Sequence, residues 1–264
     1  MKRFFGAVVH PKAKVRDAVP TDFQSANVAG SSVTRPSWLL GLGGRLARGM
    51  LRLENAVWEH KLGVSTHGTH NWQPGDWSQA EHLYYFATSY RRIFRILDTL
   101  QLGSSDVFVD LGCGKGRVTC CASLYSVGEV IGIEDVGELC AVAEKNLKRL
   151  RGKRAQARIL HGKAEEFDYT SGSVIYMFNP FGPKTLATVL SKLEQGLRRN
   201  PRCVRVVYVN PVHKYIFNGM DWLELYDQWP ASRCLGTEIT YPVAFWKSQI
   251  GDRLYTQSGG QRPK

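Results

Sequence analysis

Between residues 107 and 118 the chain reads VFVDLGCGKGRV. A short apolar run ends on the carboxylate of Asp110, and glycines follow at alternate positions, Gly112, Gly114 and Gly116. Glycine has no Cβ, so such a segment can turn sharply and let the backbone come close to a ligand. A helix is expected from about Arg117. The spacing is GxGxG. A dinucleotide loop asks for GxGxxG and a phosphate loop for GxxxxGK[ST], and the segment matches neither. In sheets of parallel strands, ligands bind beyond the carboxyl ends of the strands. An acid at that point, Asp110, suits a ligand with a positive charge better than a pyrophosphate. The next apolar run, Ile131-Gly132-Ile133, also closes on an acid, Glu134. A carboxylate there can accept hydrogen bonds from both hydroxyls of a ribose.

A nicotinamide cofactor would use an acid in the same place, so Glu134 alone does not select the ligand. The glycine spacing and Asp110 favour S-adenosylmethionine, which carries a cationic amino acid moiety and no phosphate. The segments VDLGCGKGR and IGIE resemble the class I S-adenosylmethionine-dependent methyltransferases, from about Asp106 to Asn210 and also over Tyr84 to Leu100. The resemblance implies that Gly112, Cys113, Gly114 and Gly116 line the methionine moiety. It implies that Glu134, with Asp135 beside it, binds the ribose. After the third strand the family often has Gly-Asp-Ala, whose acid contacts the adenine amine. Here the residues are Gly162, Lys163, Ala164 and Glu165. A lysine cannot accept that hydrogen bond, so Glu165 or the backbone of Lys163 and Ala164 takes the role.

Acceptor chemistry is expected after the fourth strand. Asn179-Pro180-Phe181-Gly182 resembles the Asn-Pro-Pro-Tyr motif of methyltransferases acting on amino groups of adenine or glutamine. By that likeness Asn179 and the Pro180 carbonyl hold the target nitrogen beside the methyl group, and Phe181 stacks on it. Phe181 stands where the motif has its second proline, and the same residues would also serve as a turn closing a strand. After the fifth strand, His213 is a candidate general base, or a structural histidine. Upstream, Tyr85 and Thr88 lie in an aromatic segment like one that covers the cofactor in some protein-lysine methyltransferases, including histone enzymes without the SET fold. Ordinary core packing would explain them as well. The loop with His67, His70, Trp72 and Trp77 is a further candidate cover for the acceptor.

These residues need a frame. Apolar runs alternate with helical patterns: strands at about 107–110, 130–134, 157–161, 174–178 and 204–210, with helices from about Arg117 to Tyr125, 138–151 and 183–199. That alternation predicts an α/β fold with a doubly wound, mostly parallel sheet and helices on both faces. Runs at 222–226 and 239–246 add a closing antiparallel pair, for seven strands. Leu39, Leu42, Leu46, Met50, Leu53 and Val57 recur at three- and four-residue spacing, which predicts an amphipathic helix over 38–62. A second helix is expected from about Glu81 to Leu100. The predicted organisation is an arm over 1–36, a helical cap over 37–100, a core over 101–250 and a tail over 251–264.

Composition sets outer bounds. The chain has 264 residues, 43% of them hydrophobic, and a net charge of +12. No apolar run approaches the about 18–20 residues of a membrane span. Lys2 and Arg3 precede an apolar stretch too short for a signal peptide, and His10-Pro11-Lys12 closes it without a cleavage site. A cytoplasmic protein is expected, with an organelle presequence as the other reading. The six cysteines form no CxxC pair, which argues against zinc and for buried, reduced thiols. No metal site is expected. The basic clusters at 91–95, 145–158 and 198–205 suit an anionic macromolecule, or serve solubility alone. The expected activity is methylation of an amino or amide nitrogen on a protein, nucleic acid or small molecule. The alternatives are O-methylation of a metabolite, a binding module that has lost catalysis, and a nicotinamide oxidoreductase.

Overall fold

The computed structural model describes residues 37–68, 88–234, 237–238 and 240–249. Contacts divide the chain into Met1–Arg35 and Pro36–Lys264, and all of the first unit lies outside the described residues. The expected arm over 1–36 and tail over 251–264 therefore fall outside as well.

Within the second unit the order is α1 (Ser37–Leu62), α2 (Tyr90–Leu100), β1 (Val107–Leu111), α3 (Arg117–Ala122), β2 (Glu129–Glu134), α4 (Gly137–Arg149), β3 (Gln156–His161), β4 (Val174–Phe178), α5 (Pro183–Arg199), β5 (Arg205–Val209) and β6 (Leu223–Trp229). Two short strands, β7 (Arg233–Cys234) and β8 (Thr237–Glu238), pair with each other. β9 (Val243–Ser248) completes the seven-stranded sheet, whose order is β3-β2-β1-β4-β5-β9-β6. The first five strands of that order run parallel. β9 runs antiparallel to both β5 and β6. This is the doubly wound, mostly parallel sheet that the alternation predicts. Strand order reverses between β1 and β4, and β1 sits at the centre of the five parallel strands.

Strands covered on both faces read as continuous Val/Ile runs, as β1, β2 and β5 do. Alternate residues supply two apolar layers. Phe108 joins Tyr90, Ile93, Ile96, Cys121 and Leu147 on one face. Val109 and Leu111 join Leu186, Val189, Leu193 and Phe217 on the other. Asp110 shares the face of Phe108, which turns its carboxylate toward α3.

One expectation is corrected. The helix expected from about Glu81 begins at Tyr90, because Ser89 is extended (φ −61°, ψ 145°) and its hydroxyl accepts the Arg92 N–H as an N-cap. Residues 69–87 lie outside the described part. The helix expected over 38–62 is observed as α1, with its apolar stripe turned outward. Leu46, Met50, Leu53 and Val57 are 59%, 73%, 67% and 58% exposed, whereas Glu59 and Leu62 are buried. The face of α1 that packs holds Trp58, Leu62 and the carboxylate of Glu59.

A stability contrast checks this orientation. Leu62→Ala should cost about 2–4 kcal/mol of unfolding free energy, and Leu53→Ser less than about 0.5 kcal/mol. Urea denaturation of the two variants measures both. Equal losses would mean that the outer stripe is packed.

Candidate active site

The carboxyl ends of β1 to β5 bring the predicted residues to one edge. Gly112, Gly114 and Gly116 have φ of +68°, +56° and +77°, the left-handed region that L side chains avoid. A Cβ on Gly112 would come within 2.6 Å of the Pro180 Cβ, and one on Gly116 within 3.1 Å of the Ala143 Cβ. The turn is therefore compressed between the β4 loop and α4. The Gly112 and Cys113 N–H groups both donate to the Ile133 carbonyl at 2.9 Å. Gly112 itself is exposed between buried neighbours, leaving bare backbone at the surface.

The two acids divide the work. Asp110 is 2% exposed, and its Oδ2 accepts the Thr119 N–H at 3.1 Å and the Thr119 hydroxyl at 2.7 Å. Gly116 at the N-cap of α3 offers no side chain, so a carboxylate from the strand caps the helix in its place. The sequence reading gave Asp110 to the cationic ligand; its observed partner is α3. Burial pushes its pKa up from 3.8 to about 7, and the nearby Glu134 charge adds to the rise against the Thr119 hydrogen bonds. Glu134 is buried at the end of β2. Its Oε2 accepts the Gly114 N–H at 2.8 Å and its Oε1 the Val136 N–H at 3.0 Å.

The third-strand residues lie alongside. Glu134 pairs in register with His161, and the Gly162 N–H donates to the Glu134 carbonyl at 2.9 Å. Lys163 is exposed at the start of a 3-10 turn over Ala164–Glu166. Ala164 is buried, Glu165 half-buried and Asp135 exposed. Cys113 is buried, and burial holds its thiol well above the ordinary value, which keeps it protonated and inert.

At the ends of β4 and β5 the geometry is paired. Asn179 and Asn210 both precede a proline and both have positive φ, +39° and +52°. Left-handed non-glycine residues cost free energy and concentrate at functional sites. The Tyr208 hydroxyl donates to Asn179 Oδ1 at 2.5 Å and accepts the His213 N–H at 3.4 Å. Asn179, Tyr208 and His213 thus form one cluster, with His213 buried. Phe181 is buried in the apolar layer against α5. Thr88 is buried, and its carbonyl accepts from Arg117 Nη1 at 2.9 Å. Tyr85, His70, Trp72 and Trp77 lie outside the described residues.

Sequence reasoning missed Arg117. It is 3% exposed, and its guanidinium reaches Thr66 Oγ1 (2.7 Å), Glu59 Oε1 (3.1 Å), Asn55 Oδ1 (3.1 Å) and the Thr88 carbonyl. It also lies 4.5 Å over the Tyr90 ring. One side chain at the start of α3 therefore ties α1, the segment after it and the entry to α2 to the glycine turn. Beside it, Lys115 Nζ donates to the His67 carbonyl at 2.7 Å, and Asn146 bridges Ser65 and the Lys115 carbonyl. The available signal was Glu59, an acid on the packed face of α1 that needs a cation.

The family model described as "Histone methylation protein DOT1" matches residues 77–195, which contain the glycine turn, Glu134 and Asn179. A curated protein-lysine N-methyltransferase from Saccharolobus islandicus (strain REY15A) is 29% identical over 128 residues, 48% of this chain and 78% of that one. This chain is a class I S-adenosylmethionine-dependent methyltransferase. Among solved structures the methyltransferase is similar to an RNA methyltransferase from Salinibacter ruber in complex with S-adenosyl-L-homocysteine, at 21% identity and TM-score 0.43, covering 62% of this chain and 94% of that one. It is also similar to an S-adenosylmethionine-dependent O-methyltransferase from Thermotoga maritima, at 16% identity and TM-score 0.46, covering 62% and 67%. The cofactor of the methyltransferase is S-adenosylmethionine. The turn is compatible with it: left-handed backbone is exposed at Gly112, and the Glu134 carboxylate lies against the Gly114 amide. No group of metal-binding side chains occurs among the described residues, and none of their helices is long and apolar enough to cross a membrane.

Two variants test the site of the methyltransferase. Arg117→Ala should lower stability by about 3–5 kcal/mol, because it strands the buried Glu59 carboxylate. Asp110 sets a pH trend. Its folded pKa is raised, so its contribution to stability is complete below about pH 4 and is lost as pH rises to about 7. Urea midpoints at about pH 5 and about pH 8 should therefore differ less in Asp110→Asn than in the wild type. An unchanged difference would place the proton elsewhere.

Proposed function

We propose that this methyltransferase transfers a methyl group to the amine nitrogen of a protein lysine side chain. The observation that carries the reading is Asn179, held left-handed at the end of β4 by the Tyr208 hydroxyl, with Pro180 pressed against Gly112. The likeness to the histone methylation family and to the protein-lysine N-methyltransferase from Saccharolobus islandicus supports the acceptor class.

When bound, the cofactor supplies an electrophilic methyl group on a sulfonium. The chain's own residues must then present an uncharged amine in line with it. Tyr208 occupies one lone pair of Asn179 Oδ1 and leaves the other to accept an amine N–H. The Pro180 carbonyl takes a second N–H. Two such acceptors fix the direction of the nitrogen lone pair, and alignment of that kind carries much of the rate in a displacement. The amine loses one proton as the N–C bond forms, and His213 is the base in this reading. Gly112, Gly114, Gly116 and Glu134 hold the methionine and ribose parts. Thr88 and the backbone of Lys163, Ala164 and Glu165 complete the cofactor wall. Asp110 contributes charge from beneath. Tyr85 and Asp135 stay with the cofactor set, and Cys113 takes part through its backbone. Phe181 supports the motif from the core.

Two measurements test the proposal. With tritiated S-adenosylmethionine and fractionated lysate, label should enter protein and appear as methyl-lysine on hydrolysis; label confined to RNA, DNA or small molecules would overturn the acceptor assignment. Asn179→Ala should lower kcat by about a hundredfold with cofactor affinity retained, and Tyr208→Phe by about tenfold. Full activity in Asn179→Ala would end its assigned role.

A further inference from the structure

A cavity of about 750 Å³ lies at the edge of the sheet away from the glycine turn. Its walls come from the C-terminal end of α1, from α2 and from the segments that lead into β1, β2 and β3. The glycine turn is at the carboxyl ends of the strands, so this cavity is a second and separate recess. Its volume is in the range of pockets that take small molecules. Trp58, Phe94 and Tyr125 give it an aromatic lining, and Lys61, Arg151 and Arg154 are its cations. No acid lines it among the described residues.

The backbone places these cations. The Arg151 N–H donates to the Leu62 carbonyl at 2.9 Å, and its Nη1 to the His60 carbonyl at 3.1 Å. The Arg154 N–H donates to the Ser123 carbonyl at 2.8 Å, just after α3. Lys61 Nζ lies 4.8 Å from the centre of the Trp58 ring. The Tyr125 hydroxyl donates to Asp98 Oδ1 at 2.6 Å, which fixes its ring in the wall. Among the described residues none of the three cations pairs with a carboxylate. Exposed Arg149 and Lys153 flank the two arginines in the chain. Such a group draws an anion. Charge alone would admit any anion, and the aromatic lining narrows the choice. A nucleotide brings a flat base that stacks on rings and a phosphate that meets Lys and Arg. An acidic peptide has the charge without the flat face. We propose that this cavity binds a nucleoside phosphate, either free or as one residue of a single-stranded RNA.

The full chain is tested with S-adenosyl-L-homocysteine filling the cofactor site. Fluorescence anisotropy follows an end-labelled short oligoadenylate RNA, and calorimetry follows ATP. At least one of the two should bind. Tighter binding of the RNA makes a strand the source, and equal binding makes it the free nucleotide. Arg154→Glu, at an exposed position, should weaken binding by about tenfold or more. Tyr125→Leu should weaken it by about fivefold or more, because the ring is lost and the apolar bulk kept. Both variants should keep the wild-type affinity for S-adenosylmethionine, which shows that they fold. Binding of neither probe would overturn the proposal, as would unchanged affinity in Arg154→Glu. Displacement of the bound probe by polyglutamate at equal residue concentration would also overturn it, because charge alone would then select the ligand.

Discussion

The turn between β1 and α3 forces a strand end and a helix start together in a space that admits no side chains. Three left-handed glycines make the turn, Pro180 and Ala143 close over it, and two carboxylates satisfy its amides. Each carboxylate is in the interior because a backbone N–H needs it there. Asp110 caps α3 from the strand, since the residue at the cap is glycine. Glu134 ties the glycine turn to β2. Removing either would leave buried donors without acceptors, a cost comparable to a lost hydrogen bond or more. In the proposed reading, the same requirement sets these two acids beside the cofactor, so that folding and binding draw on one constraint.

Arg117 carries that constraint outward. Its guanidinium is buried, so every donor must find an acceptor, and the acceptors come from three separate parts of the chain: α1, Thr66 and Thr88. The N-terminal helices are in this way fastened to the cofactor turn by hydrogen bonds to a charge rather than by apolar packing alone. That arrangement explains a helix whose most hydrophobic stripe is on the solvent side.

Much of the fold is legible in the sequence, and the reason is local. Strands buried on both faces are short unbroken apolar runs, and glycine or proline bounds each of them, so β4 and α5 can be read to the residue. The glycine turn is legible for the same reason, since its spacing encodes its conformation. What the sequence hides is tertiary. The partner of Asp110 lies nine residues on in a helix, and nothing in the spacing says that a hydroxyl will meet it. The partners of Arg117 are separated from it by up to 62 residues. Phe181 reads as an exposed aromatic of a motif, yet its register along the turn buries it. The orientation of α1 is hidden too, because periodicity reports amphipathicity and not which side meets the core.

The central claim is that the glycine turn and Glu134 form the cofactor site, and calorimetric titration tests it most directly. The wild-type chain should bind S-adenosylmethionine and not NAD. Gly114→Val, which puts a branched side chain at φ +56°, should abolish that binding, and Glu134→Ala should weaken it by about tenfold or more. Circular dichroism melts confirm that each variant is folded. Wild-type affinity for S-adenosylmethionine in a folded Gly114→Val, or tighter binding of NAD by the wild type, would contradict the account.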